Sequence, residues 1–225
     1  METNLHHSSQ FNEELGQLRN HVSQMGALIE SQMLTVTKAY IKNDTKAAQK
    51  VLDSDKEVNA FEKAIDEECI QVIARRQPAA SDLRLIMSVG KIVTDLERMG
   101  DEAKKIAKSI LNLQQRVPQV ITDKAGVHHL ALLASKQLQD ALLTFEKLDV
   151  SMAADVIEAD NELDAEFKST VRQLITYMME DARTISQALE IMTMARAFER
   201  IGDHSTNIAE QVIYIAEGRD VRHTS

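Results

Sequence analysis

The sequence contains DLERMGDEAKKIAKSI at residues 95–110 and, 102 residues later, AFERIGDHSTNIAEQV at residues 197–212. Both stretches carry Glu-Arg-(Met/Ile)-Gly-Asp, followed five residues later by Ile-Ala. An earlier pair of similar stretches, VLDSDKEVNAFE at 51–62 and VIEADNELDAEF at 156–167, is offset by 105 residues. Because self-similarity in a constant order indicates copies of one structural unit, the chain is predicted to contain two related domains.

The composition indicates which kind of unit is repeated. The 225 residues include only 7 Gly and 2 Pro and no Trp, whereas Ala, Leu, Ile, Met, Glu, Lys and Gln are abundant. These abundant residues are mostly strong helix formers, and so few turn formers do not suit a sandwich, a barrel or a doubly wound sheet. The fold class is therefore predicted to be all-α, with two tandem three-helix bundles.

Turn signals divide the chain into six long helices. Asp44 is predicted to cap the second helix, Pro78 to end it, and Gly218 to follow the last helix. The domain boundary is placed at the second proline, Pro118, so that residues 1–117 and 118–225 form the two bundles. The predicted helices span about 9–42, 45–77, 81–115, 122–147, 151–180 and 183–217.

Apolar residues of the third and sixth helices alternate at spacings of three and four, which predicts the seam of a left-handed bundle. A glycine lies on each seam at the same place in the repeat, although glycine in a helix interior costs about 1 kcal/mol relative to alanine. A repeated seam glycine indicates a close approach by a neighbouring helix. The seam positions are Ile86, Val89, Val93, Leu96, Gly100, Ala103, Ala107 and Ile110 in the third helix and Ala188, Ile191, Ala195, Phe198, Gly202, Ser205, Ala209 and Val212 in the sixth.

Charge and cysteine content exclude several classes of function. The net charge of −9 argues against direct binding of nucleic acid, which requires a basic surface. The single cysteine, Cys69, permits no internal disulfide and is expected to be a small core residue. No apolar run approaches the length of a membrane span or a signal core, so a cytoplasmic protein without membrane insertion is expected. The sequence also lacks the glycine-rich, GxSxG and HExxH motifs of common enzyme classes.

Acidic pairs at helical spacing are the candidate functional residues. Glu97 and Asp101 are four residues apart beside the first seam glycine, and Glu199 and Asp203 repeat this arrangement beside the second. Residues four apart share one face of a helix, where like charges repel unless a cation lies between them. The preceding helix of each half adds a further pair, and together the eight residues predict oxygen-ligand metal sites: Asp55, Asn59, Glu97 and Asp101, and Asp160, Asp164, Glu199 and Asp203.

The same acids could instead form a solvated helix face, with Arg98, Arg196 and Arg200 as partners. Repetition of the pair beside the same glycine favours metal binding over this alternative. An all-oxygen ligand set suits Mg, Ca or Mn, and bridging carboxylates also accept Fe. His128 and His129 are expected on a helix surface, and no Glu-x-x-His motif of catalytic di-iron bundles occurs.

The two ERxGD motifs, together with residues 74–101 and 171–203, resemble the PhoU family. The Asp82-Leu83-Arg84 triplet also matches, and the resemblance extends from about Phe11 to His223. It implies two tandem three-helix bundles that carry metal clusters on E/D-x-x-x-D motifs. It further implies a cytoplasmic negative regulator of the phosphate-starvation response, commonly dimeric. Such a protein would act as a non-catalytic adaptor between the ATPase subunit of a phosphate ABC transporter and a sensor histidine kinase.

Asn59 departs from the acidic pattern of the family, because the second bundle has Asp164 at the equivalent position. An amide oxygen ligates a hard cation without contributing charge, so the first site is predicted to bind metal more weakly or to hold fewer ions. Two other functions stay open: a metal-storage or metal-dependent phosphate-hydrolysing protein, and a scaffold whose acids are only a solvated face.

Overall fold

The computed structural model describes residues 2–116, 120–122 and 125–221, with side chains from residue 10 onward apart from those of 115, 116 and 125. The described residues form an all-α protein and contain no strand, which confirms the predicted fold class. The helices are α1 (Glu2–Lys42), α2 (Thr45–Asp53), α3 (Asp55–Arg76), α4 (Ala80–Arg116), α5 (Ala125–Lys147), α6 (Val150–Glu180) and α7 (Ile185–Glu217). None of them combines the length and apolarity that a membrane span requires, within the described residues.

The first bundle consists of α1 to α4 and the second of α5 to α7. The two bundles share one continuous core, because α4 packs extensively against α7 and α1 also contacts α5. All sixteen predicted seam positions are buried. In addition, Ile92, Met99 and Ile106 of α4 are fully buried on another face. Helix α4 therefore buries two stripes, which fits its contacts both with its own bundle and with α7.

Several predicted helix ends are confirmed by cap geometry. Asp44 accepts hydrogen bonds from the backbone N–H groups of Lys46 and Ala47, both at 3.0 Å. Asp149, its counterpart in the repeat, caps α6 in the same way. Gln77, before Pro78, has φ 47°, and Gly218 ends α7 with φ 71°. An aspartate cap thus starts the second helix of both copies of the repeat in the same way, whereas the equivalent helices α3 and α6 end differently, at Gln77 with φ 47° and at Asp181 with φ −146°.

The predicted second helix, 45–77, is wrong in one respect, because Ser54 interrupts it between α2 and α3. The Ser54 hydroxyl donates to Val51 O at 2.9 Å and accepts a hydrogen bond from Gln32 Nε2 at 2.9 Å. Serine hydroxyls compete with the helical backbone for hydrogen bonds in this way. The interruption places Asp55 in the first turn of its own helix.

Three other helix starts also differ from the prediction. Helix α1 begins at Glu2 rather than at residue 9, since residues 2–8 contain neither Gly nor Pro. Helix α5 is described from Ala125 rather than from 122, and before it the backbone N–H groups of Val120 and Ile121 donate to Gln187 Oε1 at 2.7 and 2.6 Å. A 3-10 turn over Ala182–Thr184 precedes α7. Of the predicted domain boundary, residues 117–119 lie outside the described part of the chain.

Candidate metal centre

Each bundle brings together its two candidate pairs at the contact between two helices. In the second bundle, Asp160 and Asp164 lie on α6 and face Glu199 and Asp203 on α7. In the first bundle, Asp55 lies on α3 and faces Glu97 and Asp101 on α4, and Asn59 lies one turn further along α3 beside Asp55. The structure therefore brings the seven predicted acids together in two repeat-related clusters, and it places Asn59 beside Asp55 in the first of them.

The glycine beside each cluster allows the helices to approach. A Cβ atom placed on Gly202 would overlap Leu163 Cδ2 and lie 2.9 Å from Gln137 Oε1 and 3.1 Å from Asp160 Oδ1. A Cβ atom on Gly100 would meet Ile29 Cδ1 at 3.2 Å and Val58 Cγ1 at 3.3 Å. The close approach predicted from the repeated glycine is thus present in both bundles and is tighter in the second.

Gln137 on α5 is a member of the second cluster that the sequence analysis missed. Its amide Nε2 donates to Asp160 Oδ1 at 3.1 Å, to Thr206 Oγ1 at 3.2 Å and to Val156 O at 3.3 Å. The side chain is 3% exposed, and its Oε1 has no hydrogen-bond partner among the described residues. The sequence did offer a signal, because a glutamine, Gln32, also stands 105 residues earlier, at the equivalent position of the first repeat. In the structure Gln32 is likewise buried, and its Oε1 has no partner among the described residues.

The carboxylates of the second cluster are held in an environment that disfavours their charge. Desolvation is the main cause that raises the pKa of Glu199, and the nearby Asp203 raises it further. The pKa of Asp203 is raised by desolvation and by Asp160. Burial also raises the pKa of Asp160, although the hydrogen bond from Gln137 opposes that effect. A cation bound among these carboxylates would favour their charged forms and so oppose both the desolvation and the smaller mutual repulsion.

The first cluster contains a cation of its own. Lys104 Nζ lies 2.8 Å from Asp55 Oδ1 on α3 and 2.8 Å from Asp101 Oδ1 on α4. Burial opposes the charge of Lys104, but the two hydrogen bonds outweigh burial and raise the pKa of its ammonium. Asn59 Nδ2 donates to Asp55 Oδ2 at 3.5 Å, so the predicted amide ligand interacts with an acid of its own helix.

Glu97 completes the first cluster. Burial and then Asp101 are the main causes that raise the pKa of Glu97, and Glu62, which the sequence analysis did not consider, raises it further. In the part of the chain that the structure describes, no group of three or more His, Cys, Asp or Glu side chains is close enough to hold a metal ion as it stands. A metal ion would have to draw the carboxylates together by rotation of their side chains.

The arginines named as alternative partners form no ion pair with the eight candidate residues, as far as the described residues show. Arg200 pairs with the buried Glu102 at 3.1 Å, and Arg196 lies over the Phe167 ring, with its Cζ 5.4 Å from the ring centroid. Arg98 lines a cavity between α4 and α7. The acids therefore do not form a face that is neutralised by direct arginine pairs.

The other candidates have structural roles. His129 is half exposed on α5 and lies 3.3 Å from Glu166, as expected for a surface histidine. Cys69 is buried, and desolvation raises the pKa of its thiol to about 12. The burial confirms Cys69 as a core residue, and a thiol with such a pKa is protonated at neutral pH.

The whole chain can be compared with known proteins in sequence and in fold. A family model described as the PhoU domain matches residues 22–110 and 127–212 of this chain, once in each bundle. Over 220 residues, the chain is 46% identical to the phosphate-specific transport system accessory protein PhoU homolog of Pseudomonas aeruginosa, covering 97% of this chain and 90% of that protein.

The chain belongs to the PhoU family.

A second relative in the PhoU family comes from Escherichia coli. The phosphate-specific transport system accessory protein PhoU of that organism is 42% identical over 223 residues, covering 98% of this chain and 90% of its own length. Among solved structures, PhoU from Pseudomonas aeruginosa superposes with a TM-score of 0.88 at 45% identity, covering 93% of this chain and 100% of that chain. The resemblance read from the ERxGD motifs is thus confirmed.

A more distant PhoU structure shares the same architecture. The phosphate transport system regulatory protein PhoU from Streptococcus pneumoniae superposes with a TM-score of 0.87 at 26% identity, covering 94% of this chain and 99% of that chain. The PhoU fold is therefore retained at low sequence identity.

Proposed function

We propose that this chain is a regulatory accessory protein of phosphate-specific transport and a negative regulator of the phosphate-starvation response. The observation that carries the proposal is the family match over both bundles, joined to relatives above 40% identity named as accessory proteins of that transport system. The Streptococcus pneumoniae relative, named as a regulatory protein, supports the regulatory part.

The proposed mode of action is that of a non-catalytic, cytoplasmic adaptor. It would couple the ATPase subunit of a phosphate ABC transporter to a sensor histidine kinase, and it would act as a homodimer. Support comes from the family resemblance and from the absence of recognisable catalytic motifs in the sequence.

A divalent or trivalent metal ion is part of the proposal, with Asp160, Asp164, Glu199 and Asp203 as its ligands. The fit rests on an observation besides the acids themselves, namely the buried and unpartnered Gln137 Oε1 beside Asp160. A neutral acceptor oxygen with no donor is suited to a cation, and carboxylate and amide oxygens are ligands for Mg, Mn, Ca and Fe. Asp164 already pairs with Lys168, and bound metal would supply the positive charge that Asp160, Glu199 and Asp203 lack.

Affinity purification of the tagged full-length chain from phosphate-replete and phosphate-starved cells tests the adaptor function. We expect the ATPase subunit and the kinase to be captured from phosphate-replete cells, and the Glu199→Gln/Asp203→Asn variant to capture less of both. The matched control is Glu158→Gln/Glu162→Gln, which removes two exposed acids with the same spacing from α6. Capture of neither partner in either condition would contradict the adaptor function.

A hydrolysis assay separates the adaptor from the enzymatic alternative. The purified protein is incubated with a phosphoester in the presence of Mg²⁺ or Mn²⁺, and released phosphate is measured. We expect no release above that of the Glu199→Gln/Asp203→Asn variant. Release by the unaltered chain that this variant loses would instead favour a metal-dependent hydrolase.

A further inference from the structure

We propose that Lys104 is the built-in cation of the first bundle, and that only the second of the two repeat-related clusters binds a metal ion. This inference rests on the proposed metal site of the second bundle. It assigns different cations to two sites whose acidic motifs look alike in the sequence.

The position of Lys104 is the first argument. Its ammonium bridges Asp55 on α3 and Asp101 on α4 at 2.8 Å each, so it joins the same two helices that a shared metal ion would join. The lysine side chain is only 24% exposed. Hydrogen bonds between an ammonium and carboxylates are among the stronger ones in proteins, and a metal ion would have to break both of them.

The repeat supplies the second argument. The residue 102 positions after Lys104 is Thr206, which is neutral and short. Thr206 Oγ1 accepts a hydrogen bond from Gln137 Nε2 at 3.2 Å, so it belongs to the second cluster as Lys104 belongs to the first. The two residues occupy equivalent places with different charge.

The basic side chains near the second cluster do not replace the missing lysine. Among the described residues, no lysine or arginine lies within ion-pair distance of Asp160, Glu199 or Asp203. Lys168 pairs with Asp164 on the solvent side, where the lysine side chain is 65% exposed. The second cluster therefore keeps a place for a cation between α6 and α7, whereas Lys104 fills that place between α3 and α4.

The test exchanges the two equivalent residues in the full-length chain and titrates each metal-free variant with Mn²⁺ by calorimetry. Lys104→Thr is expected to add Mn²⁺ binding at the first bundle, and Thr206→Lys to abolish binding at the second. We expect each affinity to change by at least about tenfold, which corresponds to roughly one charge-assisted hydrogen bond. Lys108→Thr, the same substitution one turn further along α4 at an exposed position, should change nothing.

The Glu199→Gln/Asp203→Asn background locates the bound ions. The variant with Lys104 intact should bind no Mn²⁺, whereas adding Lys104→Thr should restore binding through the first bundle. Circular dichroism of each variant shows whether its helices are retained, and a Lys104→Thr chain that is unfolded without metal should refold when Mn²⁺ is added.

The outcomes separate this inference from the proposal on which it rests. If the unaltered chain binds no Mn²⁺, the metal site of the second bundle is wrong. If it binds Mn²⁺ and the Glu199→Gln/Asp203→Asn variant still binds at the first bundle, the metal function stands and the role of Lys104 is wrong. Unchanged Mn²⁺ binding in Lys104→Thr would also overturn the inference.

Discussion

His204 Nδ1 lies 2.8 Å from Asp95 Oδ1, and this contact joins the two bundles across the packed face of α4 and α7. Both residues are only 7% exposed. Asn207 Nδ2 donates to the same Asp95 oxygen at 3.1 Å. One buried carboxylate of the first bundle thus binds two side chains of the second, so the bundles share polar contacts as well as a core.

Asp95→Ala should therefore lower the free energy of unfolding by about 1–3 kcal/mol, because it leaves the buried His204 ring and the part-buried Asn207 amide without this acceptor. The measurement is urea denaturation followed by circular dichroism. Asp140→Ala serves as the control, since Asp140 pairs with Lys136 on the surface and such exposed pairs contribute about 0–1 kcal/mol. Equal effects of the two substitutions would contradict a structural role for the inter-bundle contact.

Alanine substitution of the two repeated glycines and of Gly16, an open position on α1, should give three different results. Gly202→Ala should destabilise the chain by roughly 1–3 kcal/mol, because the new methyl overlaps Leu163 in a packed core. Gly100→Ala should change stability little, since its looser contacts are offset by about 1 kcal/mol of helix propensity. Gly16→Ala, where nothing lies within 4 Å, should stabilise by about 0.5–1 kcal/mol.

Thermal or urea unfolding of these three alanine variants measures the change in stability that each substitution causes. If Gly202→Ala were as stable as Gly16→Ala, α6 and α7 would not approach each other as closely as described. The comparison is matched, because each variant makes the same chemical change inside a helix.

Cys69 should react only slowly with a thiol reagent while the protein is folded. Its thiol is buried and its pKa is raised to about 12, so almost no thiolate forms at neutral pH. Because it is the only cysteine, labelling with Ellman's reagent reports on this site alone. We expect slow labelling in buffer and complete labelling in urea; rapid labelling of the native protein would show that α3 opens readily.

The fold was predictable because its signals are local and repeated. Apolar spacing identified the buried faces of α4 and α7, and Asp44 and Pro78 marked helix ends through their own backbone chemistry. The interruption at Ser54 was not predictable in this way. It depends on a hydrogen bond from Gln32, which is distant in sequence and is brought near only by bundle packing.

The candidate site likewise has features that local sequence spacing predicts and features that depend on helix packing. Spacing four apart placed each acidic pair on one helix face, and the repeat showed that two such clusters exist. The roles of Lys104 and Gln137 depend on which neighbouring helix each side chain reaches. A lysine three residues after Asp101 is common on solvated helices, and only the position of α3 turns it into a bridge to Asp55.

The stability of the metal-free protein should depend on pH through the second cluster. The pKa values of Glu199, Asp203 and Asp160 are raised, chiefly by desolvation. A raised native pKa means that the folded state holds the proton more tightly, so these groups oppose folding once they ionise. Their unfavourable contribution is therefore complete above the native pKa values and disappears as the pH falls toward the ordinary carboxyl range of about 4.

In EDTA at pH 7, Glu199→Gln/Asp203→Asn should consequently have a higher free energy of unfolding than the unaltered chain, and the difference should shrink toward pH 4. Excess Mn²⁺ at pH 7 should reverse the order, because a ligand that binds only the folded state stabilises it. Urea denaturation at several pH values measures both effects. A double variant that is less stable than the unaltered chain in EDTA at pH 7 would show that the acids are already neutralised.

Glu14 provides a control of opposite sign on the same chain. The hydrogen bond from Arg76, at 2.7 Å from Nη2 to Oε1, is the main cause that lowers the pKa of Glu14. A lowered native pKa contributes stability that is present above the ordinary carboxyl pKa and is lost as the pH falls through the native value. Glu14→Gln should therefore destabilise the chain at pH 7, and this loss should fade on acidification. At pH 7, Glu14→Gln should lower the free energy of unfolding and Glu199→Gln/Asp203→Asn should raise it. Opposite signs of these two changes would distinguish a carboxylate that is paired with a cation from carboxylates that have none.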